Sequence, residues 1–300
     1  MPTPLASIVR SLGVEPDSIR RISHRQNTHW RVRAGPRRYA LRRAGAWLDV
    51  EGDLDWELAV VAQWAGAGLP VAQPLGPPRE IDGVRWFLMP WLGGRALGRE
   101  PWTDADYERL GEWLADIHAA TASLPVARQR PGWTPYADAA LPILGGATRR
   151  AELLAALARV DAGVAGRFAR AAEALEGRDL PRVFAGYARR SIHADFAPWN
   201  IRLGRGRLTG VLDFELAHVD LLVGDVAQSR RGAHDGVVRG YLRRRSLTDV
   251  ELANLDAFWL AGIMVGVWRD LEQRLARGPI TEVGFKWTLA QLDKIRPYQG

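Results

Sequence analysis

Ser191-Ile192-His193-Ala194-Asp195-Phe196-Ala197-Pro198-Trp199-Asn200, followed ten residues on by Val211-Leu212-Asp213-Phe214-Glu215, is the stretch whose reading decides the fold. Asp195 and Asn200 share one loop, so a carboxylate and an amide can converge on one spot. Asn200-Ile201-Arg202-Leu203 and Leu208 to Leu212 flank a Gly204-Arg205-Gly206 turn, the pattern of a β-hairpin. That hairpin would return Asp213 beside Asn200. Hard oxygen ligands brought together in this way suit Mg²⁺, which takes few protein oxygens and completes its shell with phosphate and water. Phosphoryl transfer to an alcohol needs one more carboxylate, to orient the attacking hydroxyl and accept its proton. Asp195 stands where that group is wanted. A lone His-x-Asp occurs often by chance, but Asn200 and the strand-end Asp213 at these spacings make accident a poor explanation.

Outward from this segment the chain divides by character. Over residues 1–90 it reads mostly as strands. His29 to Arg33 alternates, Gly35-Pro36 marks a turn, and Tyr39-Ala40-Leu41-Arg42 resumes the alternation. Leu54, Leu58 and Val61 predict a helix over 53–64, ended by Gly66, Gly68 and Pro70. Asp82-Gly83 predicts a second hairpin leading into Arg85 to Leu88. After Met89-Pro90-Trp91-Leu92-Gly93-Gly94 the pattern becomes helical. Tyr107, Leu110, Leu114 and Ile117 make one apolar face, 151–160 and 164–175 are alanine-rich, and 250–275 reads as one long helix broken near Gly262 or Gly266. The expected plan is α+β: a small antiparallel-sheet N-terminal lobe over 1–90 and a larger, mainly helical lobe over 91–300.

Composition narrows the function. The 300 residues are 47% hydrophobic and 25% charged, as in a globular protein with a substantial core. There is no cysteine, hence no disulfide, thiolate metal site or cysteine nucleophile. The start, Met1-Pro2-Thr3-Pro4, lacks the basic flank and apolar run of a secretory leader, so cytoplasmic residence is the expectation. Of 41 basic residues only Lys286 and Lys294 are lysines, and the arginines are scattered among acids. The net charge of +7 therefore does not imply nucleic acid, which would call for a basic stripe interleaved with aromatics.

The His193, Asp195, Asn200 and Asp213 pattern resembles that of the aminoglycoside phosphotransferase and choline kinase family, distant relatives of protein kinases. The family signature is His-Gly-Asp, Asn five residues later, then an apolar strand ending in Asp. The resemblance implies a two-lobed protein-kinase-like fold, with Asp195 as catalytic base and Asn200 and Asp213 holding Mg²⁺. His193 would brace the loop, and Asp225 in Gly224-Asp225-Val226 would fix its backbone. Ala194 departs from the usual Gly, although a small residue still fits. Arg42 matches the cation that grips nucleotide phosphates, with Glu57 on the next helix as its ion-pair partner. The plainer reading is a surface pair, worth little. Asn27 matches the strand turn over the nucleotide, and Met89 to Leu92, with Met89 and Trp91 as the candidates, the hinge whose backbone would bind adenine. His118, in Leu114-Ala115-Asp116-Ile117-His118, matches a structural helix of the larger lobe.

The implied activity is transfer of the ATP γ-phosphoryl group to a hydroxyl of a small molecule, with resistance to an antibiotic as the leading role. No glycine occurs around Ser23-His24-Arg25, so the phosphate-covering loop of protein kinases is absent and GTP is not excluded as donor. A metabolic kinase of an amino alcohol or sugar is the alternative within the class, and a silent binding module the alternative outside it. Gly224 comes only eleven positions after Asp213, which leaves little room for the peptide platform of a protein kinase. From residue 91 onward there are 29 basic and 25 acidic residues, a balance that favours an acceptor of low charge over a polycation. Glu215, Trp199, Trp259 and Trp268 are further candidates for facing substrate.

Overall fold

The computed structural model describes residues 3–24, 27–45, 50–96, 102–138 and 146–299. Arg25 and Gln26, in the glycine-free turn before Asn27, lie outside the described residues. In chain order the elements begin with α1 (Leu5–Ser11), β1 (Ser18–His24), β2 (Thr28–Ala34), β3 (Arg37–Arg43) and α2 (Asp53–Gly66). Next come β4 (Arg79–Ile81), β5 (Val84–Pro90), β6 (Arg95–Ala96), α3 (Asp104–Thr121), α4 (Gly146–Ala158), α5 (Ala162–Glu176) and α6 (Leu180–Val183). Then follow β7 (Arg190–Ile192), β8 (Ile201–Gly204), β9 (Arg207–Val211), β10 (His218–Asp220), α7 (Leu222–Arg230) and α8 (Asp235–Leu242). The chain ends with α9 (Asp249–Ala253), α10 (Leu255–Arg277) and α11 (Lys286–Leu292). This is an α+β protein, antiparallel sheet first and helices after.

Two compact units emerge, and they are not separated by a single cut in the chain. The first holds residues 1–99, 130–132 and 198–215, and the second holds 100–129, 133–197 and 216–300. In the first unit a five-stranded antiparallel sheet runs in the order β1-β2-β3-β5-β4. Ile8 and Val9 of α1 pack with Val32, Leu41, Trp86 and Leu88 to form its core. Asp82 and Gly83 both have positive φ, 53° and 71°, the conformation of a two-residue hairpin turn that Asp-Gly favours. The β8–β9 hairpin belongs to this unit because β8 pairs with β6 and Val211 bridges Val71. Helix α2 buries Glu57, Val60, Val61 and Trp64, so its inner face turns a carboxylate inward where an apolar stripe was expected.

The second unit is built on helices. α3 begins with a capping box between Thr103 and Asp106 and buries Leu110, Leu114, Ile117 and His118. Phe168 of α5 packs into one core with Met264, Val267, Trp268 and Leu271 of α10. The helix expected over 250–275 is broken at Asn254, and α10 runs unbroken through Gly262 and Gly266. Gly262 serves packing instead: a Cβ there would come within 2.4 Å of the Gln228 side chain. Trp259 and Trp268 are buried in this core. Among the described residues no helix is long and apolar enough to cross a membrane.

Candidate active site

Within the first unit a cavity of about 290 Å³ opens against the sheet, with Arg42, Glu57, His29 and Asp213 on its polar side. Ala40, Val61, Ala72, Met89 and Val211 line its apolar side. Arg42 and Glu57 are a buried pair, with side chains only 8% and 3% exposed. One guanidinium nitrogen meets Glu57 Oε1, and the other donates to Oε2 at 3.1 Å. The surface-pair reading fails because α2 packs its Glu57 face onto β3, where water cannot compete. Burial alone would lower the Arg42 pKa, yet Glu57, Asp213 and Glu215 outweigh it and hold it above its ordinary value. Burial likewise would raise Glu57, but Arg42 and then Arg130 hold it below.

His29 is a cavity residue that carried no signal in the sequence beyond its place on β2. Its Nδ1 lies 3.0 Å from the Ser23 hydroxyl. Burial first, and the neighbouring Arg42 second, push its pKa down to about 4. The imidazole is therefore neutral at physiological pH. Between pH 6.5 and 4 the unfolded chain binds a proton that the folded protein does not, so stability falls as pH falls. The expected loss is about 1.4 kcal/mol per pH unit across that window. Urea melts at several pH values should show this extra slope in the wild type and lack it in His29→Asn. Parallel slopes for the two proteins would count against the assignment.

The end of β5 lies along the cavity, and Met89, Pro90, Trp91 and Leu92 line it. Met89 pairs with Ala40 in the β3–β5 ladder and lines the cavity with Trp91. The Trp91 N–H donates to the Arg38 carbonyl at 3.1 Å. Pro90 has no N–H to offer, so the ladder takes its next donor from Trp91. That amide is thus engaged in the sheet and not turned to a ligand. The Trp91 ring instead meets the Arg202 guanidinium, 5.7 Å from its centroid. Asn27 does not line the cavity. Its amide donates to Glu215 Oε2 at 2.7 Å, and its carbonyl oxygen accepts from the Gly45 N–H at 2.9 Å. Half-buried Glu215 is therefore tied to Asn27, the residue just before β2.

The hairpin brings the backbone at Asn200 next to the backbone leading into Asp213. Ile201 pairs with Val211, and the Leu212 N–H donates to the Asn200 carbonyl at 2.8 Å. Asn200 is buried; Asp213 is exposed, with φ of 66°. Among the described residues no cluster of three or more His, Cys, Asp or Glu forms a metal cage. An amide and a carboxylate carried on adjoining backbone are the donor types of a cation that takes most of its ligands from phosphate and water. Arg130, silent in the sequence, joins this turn to α2.

In the second unit Asp195 follows β7, which pairs with β10. Asp225 of α7 is fully buried and accepts from the His193 and Ala194 N–H groups, both at 2.9 Å. The His118 Nε2 lies 3.1 Å from the same carboxylate, and its Nδ1 lies 2.9 Å from the Tyr241 hydroxyl. His193, also fully buried, accepts the Asp195 N–H on Nδ1 at 3.2 Å. The loop backbone is thus held at three consecutive amides. Ala194 has φ of 63°, so the absence of glycine is a matter of handedness and not of size. A left-handed alanine costs about 1–2 kcal/mol, which the Asp225 clasp offsets. Arg231, the C-cap of α7, has φ of 52° and directs its guanidinium onto the Asp195 carboxylate. Trp259 lies beneath that guanidinium, 5.9 Å away.

The sequence model described as the phosphotransferase enzyme family matches residues 18–258. A protein of Deinococcus radiodurans described only as uncharacterized is 26% identical over 331 residues, covering 95% of this chain and 88% of its own. Among solved structures, apo aminoglycoside phosphotransferase APH(4)-Ia superposes with a TM-score of 0.66 at 17% identity, covering 95% of this chain and 96% of that one. Amicoumacin kinase hAmiN, solved with AMP-PNP, Ca²⁺ and its antibiotic, gives 0.65 at 13% identity, covering 98% and 95%. A microcompartment-associated aminopropanol kinase gives 0.58 at 17% identity, covering 92% and 99%. Identities this low speak for the fold alone, and that fold is protein-kinase-like.

Proposed function

The chain belongs to the phosphotransferase enzyme family, and from that premise we propose that it is a small-molecule kinase that transfers the γ-phosphoryl group of ATP to an acceptor hydroxyl. The observation that carries this reading is the buried Arg42–Glu57 pair set in one cavity with Asp213. In this reading residues 1–90 serve nucleotide binding and 91–300 serve catalysis and acceptor binding. Arg42, fixed by Glu57, neutralises phosphate charge. Met89 and Trp91 flank adenine, and Asn27 holds Glu215, two residues beyond Asp213. Asn200 and Asp213 would hold Mg²⁺, which neutralises the transferring phosphate oxygens when bound. Asp195 orients the acceptor hydroxyl and takes its proton as the new P–O bond forms and the bond to the departing ADP oxygen breaks. Catalysis is then chiefly positioning and charge neutralisation.

Arg231 supports an acceptor of low charge. A guanidinium at the carboxylate that must meet the acceptor repels polycations, and the single Asp195 charge cannot pair several ammonium groups as they lose water. An uncharged or weakly charged hydroxylated antibiotic, inactivated by O-phosphorylation in the cytoplasm, fits best. The test is incubation with Mg·ATP and a panel of hydroxylated antibiotics and metabolites, read by mass for one added phosphate. The best acceptors, ranked by kcat/KM, should carry few positive charges. A tetracationic aminoglycoside as the best acceptor would overturn the charge assignment, and failure to bind Mg·ATP at millimolar concentration would overturn the kinase reading itself.

A further inference from the structure

We propose that Arg130 is a positioning residue for phosphoryl transfer, one guanidinium that sets both the phosphate-gripping Arg42 and the turn carrying Asp213. The proposal rests on the nucleotide-binding reading of the cavity. Between residues 100 and 197 only Arg130, Pro131 and Gly132 belong to the first unit. The Arg130 side chain is 2% exposed. Its Nε donates to Asp53 Oδ1 at 2.6 Å, and one terminal nitrogen donates to Asp53 Oδ2 at 3.0 Å, a bidentate clasp on the first turn of α2. The same nitrogen lies 3.6 Å from Glu57 Oε2. Its other terminal nitrogen donates to the carbonyls of Phe214 and Glu215, at 3.3 and 2.9 Å. The guanidinium also lies 5.5 Å from the Trp56 ring centroid.

The identity of these partners separates this arrangement from a general structural arginine. Glu57 is the carboxylate that fixes Arg42, and Arg130 helps keep it ionised despite burial. Phe214 and Glu215 immediately follow Asp213, whose left-handed backbone is unusual for a residue with a side chain and needs its neighbours held. The Glu215 carboxylate is held in turn by Asn27. Arg130 does not line the cavity, so it acts through residues that do. All of these contacts use the planar fork. Lysine keeps the charge but offers one ammonium, which cannot clasp Asp53 and reach two carbonyls at once.

Titration calorimetry with Mg·ATP tests this without knowledge of the acceptor. Arg130→Lys, Arg130→Met, Arg42→Ala and the Arg42→Ala/Arg130→Lys double variant are compared with wild type, each with its melting temperature. Arg130→Lys is expected to stay folded and to weaken Mg·ATP binding ~10-fold or more, as loss of a supporting shell does. The double variant should bind little worse than Arg42→Ala alone, because the residues act as one unit. Once an acceptor is in hand, its KM should be unchanged in Arg130→Lys. Wild-type affinity in Arg130→Lys, even with a lowered melting temperature, assigns Arg130 to stability only and overturns the proposal. Fully additive losses overturn it too. Should Arg130→Met fail to fold, the lysine variant still decides. If the wild type itself does not bind Mg·ATP, it is the kinase reading that has failed.

Discussion

Asp195→Asn is expected to lower turnover by ~10²-fold or more, the contribution of a positioned proton acceptor. Asparagine keeps the size and the hydrogen-bonding reach of the side chain but cannot take the acceptor proton. The loop that presents residue 195 is anchored through its backbone, by Asp225 to His193 and Ala194 and by His193 to Asp195. The variant should therefore fold as the wild type does. Mg·ATP affinity should change little, since the groups proposed to grip the nucleotide are Arg42, Glu57 and Asp213. Phosphate transfer at saturating Mg·ATP, paired with calorimetry, separates the two effects. Near-normal turnover would remove Asp195 from the reaction.

Asp225→Ala is expected to cost more in stability than any surface change. The carboxylate is fully buried and serves two backbone N–H groups and the His118 ring. Removing it orphans those groups in a fully buried site, a loss of about 3–5 kcal/mol. The melting temperature should fall on the order of 10 °C. Turnover should fall as well, because the Asp225 carboxylate holds the N–H of left-handed Ala194, next to Asp195. Burial by itself would raise the Asp225 pKa, but the His118 hydrogen bond and charge, then His193, hold it below the ordinary 3.8. The contribution of this carboxylate is therefore full at neutral pH and is lost only as pH falls below that ordinary value toward the folded one. Denaturation at pH 7 and pH 5 should give the same Asp225→Ala deficit. A deficit already gone at pH 5 would contradict the clasp.

Much of this protein could be read from local spacing. His193, Asp195 and Asn200 lie on one loop and Asp213 lies at the end of the adjoining hairpin, so a handful of neighbouring residues encodes their relation. The paired turns at Asp82-Gly83 and Arg205-Gly206 needed only positive φ, which those residues tolerate. Where the notable periods ran long enough to read, as at 29–42, 53–64 and 107–117, strands and helices form there, whereas α1, α7 and α8 showed no such signal. The break in the last long helix fell at Asn254 rather than at a glycine, because Gly262 admits the Gln228 side chain and costs the helix nothing it needs.

The sequence alone determined the family, the α+β plan and the segment that carries the proposed catalytic residues. Tertiary structure decided which charges are buried and what they touch. Arg42 and Glu57 could have been a solvated pair until α2 packed against β3. Arg130 reaches Asp53 across 77 residues and the Glu215 carbonyl across 85, and Arg231 reaches Asp195 across 36. No periodicity marks such partners, since an arginine bound for the interior looks in sequence like the many that face water. The left-handed state of Ala194 is likewise set by what holds its N–H, and the acceptor of that bond, Asp225, lies 31 residues away. The strength of a charge depends on the water excluded around it, and only the folded chain determines where water is excluded.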